Sequence, residues 1–314
     1  MFAPRPLDVL YLTNFSDYCF RTIPAVAQLA DAIKIRLTIL HAYDPARETQ
    51  ASAAEKVHSF FPEADRYLAC NRLAAPGHMV EVVQRHLEGW PVDLIVAPAS
   101  DTIGVPRIGA RSSRSRIIEQ AGVPVWTFGR GICLPKLQQP VRNVACWLDY
   151  HSGHTGHLGY ALEYASKIGA KLHLLSALPA IDEGMLSLGT KLDEDKPLAP
   201  EAAAAKILGL CSGFPIVPEV HVARSSGRST LTQMLKECDA DTVFLHHQGS
   251  MVAEWLGLGL RSIDPLPCPS ICTGDKVRGP VWNLELGQAL RRMAEERPRR
   301  EHAVPAPMRE VFKA

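Results

Sequence analysis

Apolar and polar positions fall in blocks along this chain, and the blocks recur. DVLYLTN at 8–14 is a short apolar run with polar flanks, the pattern of a buried strand. Ile23, Val26, Ala27, Ala30 and Ile33 then stand three and four apart, which predicts one face of a helix, and RLTILHA at 36–42 predicts a second strand. Pro24 falls inside that helical pattern. An interior proline costs about 3 kcal/mol, so a late start or a kink is expected there. Shifted by 135 residues, the pattern returns as VACWLD at 144–149, the stripe Leu158, Ala161, Leu162, Ala165 and Ile168, and KLHLLSA at 171–177. With a shift of 148, VDLIVAP at 92–98 pairs with ADTVFLH at 240–246. Each follows an amphipathic stripe, Met79, Val82, Val83 and Leu87 in the first case and Leu231, Met234, Leu235 and Cys238 in the second. The copies close on AGVPVWTF at 121–128 and PLPCPSICT at 265–273.

Strands that alternate with helices predict parallel sheets covered on both faces, and right-handed crossovers make each copy doubly wound. The expected fold class is therefore α/β, with two Rossmann-like domains in tandem and a sheet in each. The boundaries read as 1–130, 140–274 and a basic tail at 275–314 with an amphipathic helix near 283–297. The linker is 129–140, with glycine and proline at its ends, and the variable inserts are 43–66 and 178–217.

Composition narrows the partners. A chain of 314 residues, 46% hydrophobic and 21% charged, suits two globular domains. A net charge of +1 gives no global attraction to nucleic acid or membrane, and there is no apolar run of about 18 residues, so neither is an expected partner. The eight cysteines contain no C-x-x-C pair and the first residues lack a signal-peptide core, which predicts reduced thiols in a cytoplasmic protein. Arg107, Arg111, Arg114 and Arg116 form a local basic cluster, either a solvated face or a phosphate grip.

TNFSD (13–17), LTILHA (37–42), VDLIVAP (92–98) and AGVPV (121–125) resemble the universal stress protein domain. So do WLDYHS (147–152), LHLLSA (172–177), DTVFLH (241–246) and LPCPS (266–270) in the second copy. The resemblance covers about 7–128 and 141–273. It implies the adenine nucleotide alpha hydrolase-like variety of the fold and, in the family's ATP-binding branch, a site for ATP or another adenine nucleotide. That site has an Asp ending the first strand, a backbone position after the second strand's histidine, and G-x2-G-x9-G-S/T after the fourth strand. Its glycines let the backbone approach phosphate. Carried onto this chain, the second copy offers Asp149, Ala177 and His246-x2-Gly249-x9-Gly259, with His246 in place of the first glycine and Leu260 in place of the hydroxyl residue. The first copy offers Asn14 for the Asp, Ala42 for the backbone position, Ala97 and Ser100 for the early glycines, and Ser112 at the end of the loop, one residue late. The resemblance thus implies a nucleotide in the second copy and a degenerate loop in the first. It also implies a stress-response or signalling role, an intramolecular pseudo-dimer of the two domains, and scope for a further homodimer. No paired base and nucleophile is found, so no catalytic residue is expected and at most weak ATP hydrolysis.

A histidine cluster adds an alternative. Asp149, His151, His154 and His157 lie between a strand end and a helix start, and His246 and His247 end the fourth strand. The carboxyl ends of first and fourth strands are neighbours at the switch point of a doubly wound sheet, so these groups are expected to converge. His151, His154 and His246 then form a candidate Zn²⁺ ligand set. The same imidazoles could instead line a nucleotide pocket or bond locally, and their protonation near pH 6 would make that pocket pH-sensitive. Three readings follow: a nucleotide-binding stress protein, a metal-binding protein or metal-dependent enzyme, and an interaction scaffold that binds no nucleotide.

Overall fold

The computed structural model describes residues 5–99, 112–129, 132, 134–148, 156–178, 200–211, 216–224, 228–247 and 266–277. Within them the first half runs β1 (Leu7–Thr13), α1 (Asp17–Ala32), β2 (Ile35–Tyr43), α2 (Gln50–Ser59), a 3₁₀ turn (Pro62–Arg66), β3 (Ala69–Pro76), α3 (Met79–Gly89), β4 (Leu94–Ala97), α4 (Ser113–Gln120) and β5 (Val125–Thr127). A short α5 (Leu134–Leu137) follows in the linker. The second half runs β6 (Asn143–Trp147), α6 (Gly156–Ile168), β7 (Lys171–Leu178), α7 (Pro200–Leu210), β8 (Glu219–Arg224), α8 (Arg228–Glu237), β9 (Thr242–His246) and β10 (Ser270–Thr273).

All ten strands belong to one sheet, ordered β3-β2-β1-β4-β5-β10-β9-β6-β7-β8. Every neighbouring pair is parallel except β5 with β10. The mostly parallel, helix-covered sheet agrees with the expected fold class, but the expectation of a separate sheet for each copy does not hold. Physically, each five-stranded set would otherwise end in a short, wholly buried edge strand, VWT or SICT, with its backbone groups unpaired. Antiparallel pairing satisfies both at once, setting Ser270 opposite Thr127, Ile271 opposite Trp126 and Cys272 opposite Val125. The buried hydroxyls of Thr127 and Ser270 bond to each other at 2.9 Å.

Packing is continuous across this seam. β1 is buried at every position, with Leu7, Val9 and Tyr11 on one face and Leu10 and Leu12 on the other, as expected for a central parallel strand. The first face's core joins Val26 and Leu29 of α1 to Tyr160 and Tyr164 of α6, and takes strand residues Val96 and Phe244 from the two halves. The second joins Val80 and Val83 of α3, Ile117 and Ile118 of α4, and Met234 and Leu235 of α8.

Helix α1 departs from its expected form in two ways. It starts at Asp17 and runs through Pro24, so the start is not late. Its buried face is Cys19, Thr22, Ala25, Val26 and Leu29, while Ile23 and Ala30 are only partly buried. The phenol of Tyr11 in the sheet bonds the Cys19 carbonyl (2.6 Å) and the Thr22 hydroxyl, which turns a polar position inward. The linker also has structure. Lys136 Nζ reaches Asp239 at 2.8 Å, and Gln28 Nε2 donates to the Leu137 carbonyl at 2.9 Å, so α5 is tied to both halves. A cavity of about 350 Å³ beside it is lined by Gln28, Trp126, Lys136 and Tyr164.

Cys19, Cys70, Cys146, Cys238, Cys268 and Cys272 are free thiols. Burial pushes Cys272 up to about 11 and Cys146 well above the ordinary thiol range, so these sulfurs stay protonated and unreactive at neutral pH. Among the described residues, no helix is long and apolar enough to cross a membrane. The tail beyond residue 277, with its expected helix, lies outside the described residues.

Candidate functional site

In each half one strand sits between neighbours reached in opposite directions along the chain. β1 lies between β2 and β4, and β6 lies between β7 and β9. A crevice opens outside the carboxyl ends of such strands, the usual ligand site in open α/β sheets. Because β5 and β10 pair antiparallel, the two crevices open at opposite ends of the sheet.

At the first crevice the polar groups serve local structure. Asn14, just past β1, accepts through Oδ1 from the Ser16 amide (3.1 Å) and the Cys19 thiol (3.1 Å), and so helps to start α1. Phe15 adopts the left-handed conformation with φ 61°, uncommon for a bulky side chain, and its amide donates to Thr13 Oγ1 at 3.0 Å. The Phe15 ring packs 4.5 Å from that of His41 at the end of β2. His41 is itself tied to the Thr13 carbonyl (3.0 Å) and to Glu48 (3.2 Å). The Lys56 ammonium at 2.7 Å, and then His41, hold the Glu48 carboxyl below the usual range. Ala42 is in register with Ala75 of the edge strand β3. Ser112 caps α4, accepting from the Ser115 amide at 3.1 Å. Asn14, Ala42 and Ser112 are thus placed near strand ends or a helix start, with the two polar side chains bonded to their own turns.

At the second crevice two histidines stand among the described residues. His246 ends β9, with Nε2 3.0 Å from Asp275 Oδ1 and Nδ1 3.4 Å from Thr273 Oγ1, just beyond and within β10. Its ring stacks on that of His157 in the first turn of α6, with centroids 6.1 Å apart. His157 is buried and its Nε2 lies 2.7 Å from the Trp147 carbonyl at the end of β6. Ala177 sits in β7 opposite Ala223. Ser176 Oγ of β7 donates at 2.9 Å to the carbonyl of Leu148, one residue past the end of β6, and holds the strands together at this mouth.

The structure brings His157 and His246 together but sends His247 to the opposite face, where its Nε2 lies 3.5 Å from Glu119 of α4. The expected convergence of all the histidines is corrected to that extent, because successive side chains on an extended segment point to opposite faces. Asp149, His151, His154, Gly249 and Gly259 lie outside the described residues. Sequence reasoning missed Thr273 and Asp275. They reach His246 only because β10 pairs with β9, a long-range contact with no local signal.

No protein-family model and no curated protein matches this chain. Solved structures do. A universal stress protein from Archaeoglobus fulgidus DSM 4304 superposes with a TM-score of 0.63 at 16% identity, over 87% of this chain and 96% of that one. A functionally unknown protein from Pseudomonas aeruginosa PAO1 superposes with a TM-score of 0.55 at 12% identity, over 92% and 97%. Both matches cover residues from both halves, and at these identities what they share with this chain is its fold.

Proposed function

We propose that this chain, built on the universal stress protein fold, is a cytoplasmic stress-response or signalling protein that binds one adenine nucleotide at its second crevice. The nucleotide acts as a ligand rather than as a rapidly consumed substrate. Domains 1–130 and 140–274 act as an intramolecular pseudo-dimer. The antiparallel β5–β10 pairing supports this, since it joins corresponding edge strands as a two-fold dimer of single domains would.

The observation that carries the reading is the placement of His246. It stands at the carboxyl end of β9, beside β6, braced by Thr273 and Asp275. A strand end at such a crevice is a usual place for phosphate contacts, and the candidates Gly249 and Gly259 follow in the sequence. At the first crevice, Asn14 and Ser112 already serve as turn and helix-cap acceptors and Phe15 packs over the end of β2.

Thermal unfolding with and without ATP, ADP and AMP tests this. A ligand at 100 times its Kd stabilises by about 2.7 kcal/mol, a readily measured rise in Tm. At least one nucleotide is expected to raise Tm, His246→Ala to shrink the rise, and Asn14→Ala to leave it intact. No rise with any nucleotide would favour the scaffold reading. A rise lost in Asn14→Ala but kept in His246→Ala would move the site to the first half.

A further inference from the structure

Three potential metal ligands meet far from the second crevice, near the amino ends of β7 and β8. His173 is in register with Glu219, and His221 is in register with Leu175, two residues further along. Side chains two apart on a strand share a face, so His173, Glu219 and His221 all project from one face of the sheet. The nitrogen and oxygen atoms they offer lie within 4.8 Å of one another. His173 Nδ1 is 3.1 Å from His221 Nε2 and 3.4 Å from Glu219 Oε2.

The two separations from His173 Nδ1 are close to those of a coordination shell. Ligands about 2.0–2.1 Å from a tetrahedral Zn²⁺ stand about 3.3–3.4 Å from each other. The second layer is also present. His173 Nε2 lies 3.4 Å from Asn143 Oδ1 at the start of β6. That oxygen only accepts, so the contact favours the tautomer with the proton on Nε2, in which Nδ1 turns its lone pair toward the other two groups. An outer hydrogen bond of this kind fixes tautomer and ring direction in metal sites. His221 needs only to move its proton from Nε2 to Nδ1, a change that leaves its ring neutral. The accessibilities are graded in the same sense. His173 is buried, His221 half-buried and Glu219 exposed, so an ion can enter from solvent.

We propose that His173, Glu219 and His221 bind one Zn²⁺, with a fourth position left to water. β8 is the last strand of the sheet, so the ion fastens an edge strand to its neighbour β7. This site is separate from the nucleotide crevice and from the candidates His151, His154 and His246. It shares no residue with either.

The test uses the full chain, stripped with a chelator and then titrated with Zn²⁺ against a chromophoric competitor. Co²⁺ serves as a second probe, because four-coordinate cobalt gives intense visible bands. One tight equivalent is expected. His221→Ala should weaken it by more than about 100-fold, and Asn143→Ala by about 10–100-fold, the usual effect of losing an outer-shell partner. The double variant His151→Ala/His154→Ala should bind as the parent does. Circular dichroism checks that each variant is folded, and Glu219→Ala, at an exposed position, provides a second ligand deletion that leaves the core untouched. The proposal is overturned if no tight equivalent exists. It is also overturned if His221→Ala and Glu219→Ala bind as the parent does, or if His151→Ala/His154→Ala removes the binding.

Discussion

Trp126→Ala is expected to remove about 3–5 kcal/mol of stability, the usual cost of deleting a large buried aromatic. Trp126 is 3% exposed, lies in the seam strand β5 opposite Ile271, and packs 4.9 Å from Phe128. Its core continues without a break into the second half through Phe244 and Tyr164. Loss at this point should therefore weaken both halves together, and urea unfolding should remain a single transition with a lower midpoint. Trp126→Phe should cost far less. Among the described residues no acceptor reaches the buried indole N–H, and leaving such a group unbonded costs about 1–3 kcal/mol. Two separate transitions in Trp126→Ala, with only the first half destabilised, would show that the halves do not share a core.

Gly274→Ala is expected to destabilise by about 1–3 kcal/mol, the range for forcing atoms into a filled interior. A Cβ built on Gly274 would stand 2.6 Å from the Ile118 carbonyl oxygen, which is backbone of α4 and cannot swing aside. The same contact is tight from the other side. Gly122, left-handed at φ 66° just past α4, has the Lys276 carbonyl 3.3 Å from its would-be Cβ. The segment after β10 thus rests directly on the end of α4. Thr273 and Asp275 flank Gly274 and brace His246, so displacing this segment should also shrink the stabilisation by ATP. Chemical denaturation and the ATP-dependent Tm shift, measured together on Gly274→Ala, check both effects. A variant as stable as its parent would mean that α4 moves freely against β10.

Much of the fold was legible because central parallel strands are buried on both faces. β1, β2, β7 and β9 announce themselves as apolar runs, and the stripes behind them mark helices. The edge strands were harder to read. β3 alternates between exposed and half-buried positions, and β8 reads EVHVAR, so neither has a continuous apolar run. The joining of ten strands into one sheet had no local sign, since edge pairing uses backbone groups that every residue carries. At the second crevice, His246 was legible from its place at a strand end, while its partners Thr273 and Asp275 were not. The His173 cluster left a faint trace. A Glu-x-His alternation on one strand faces a lone histidine in an apolar run on the next, and only the β7–β8 register brings them together.

Equilibrium dialysis of the purified chain against radiolabelled ATP, counted as nucleotide per chain at saturation, tests the functional account most directly. One nucleotide per chain is the expected plateau, because a single crevice is assigned to it. A plateau at zero or at two would contradict the account.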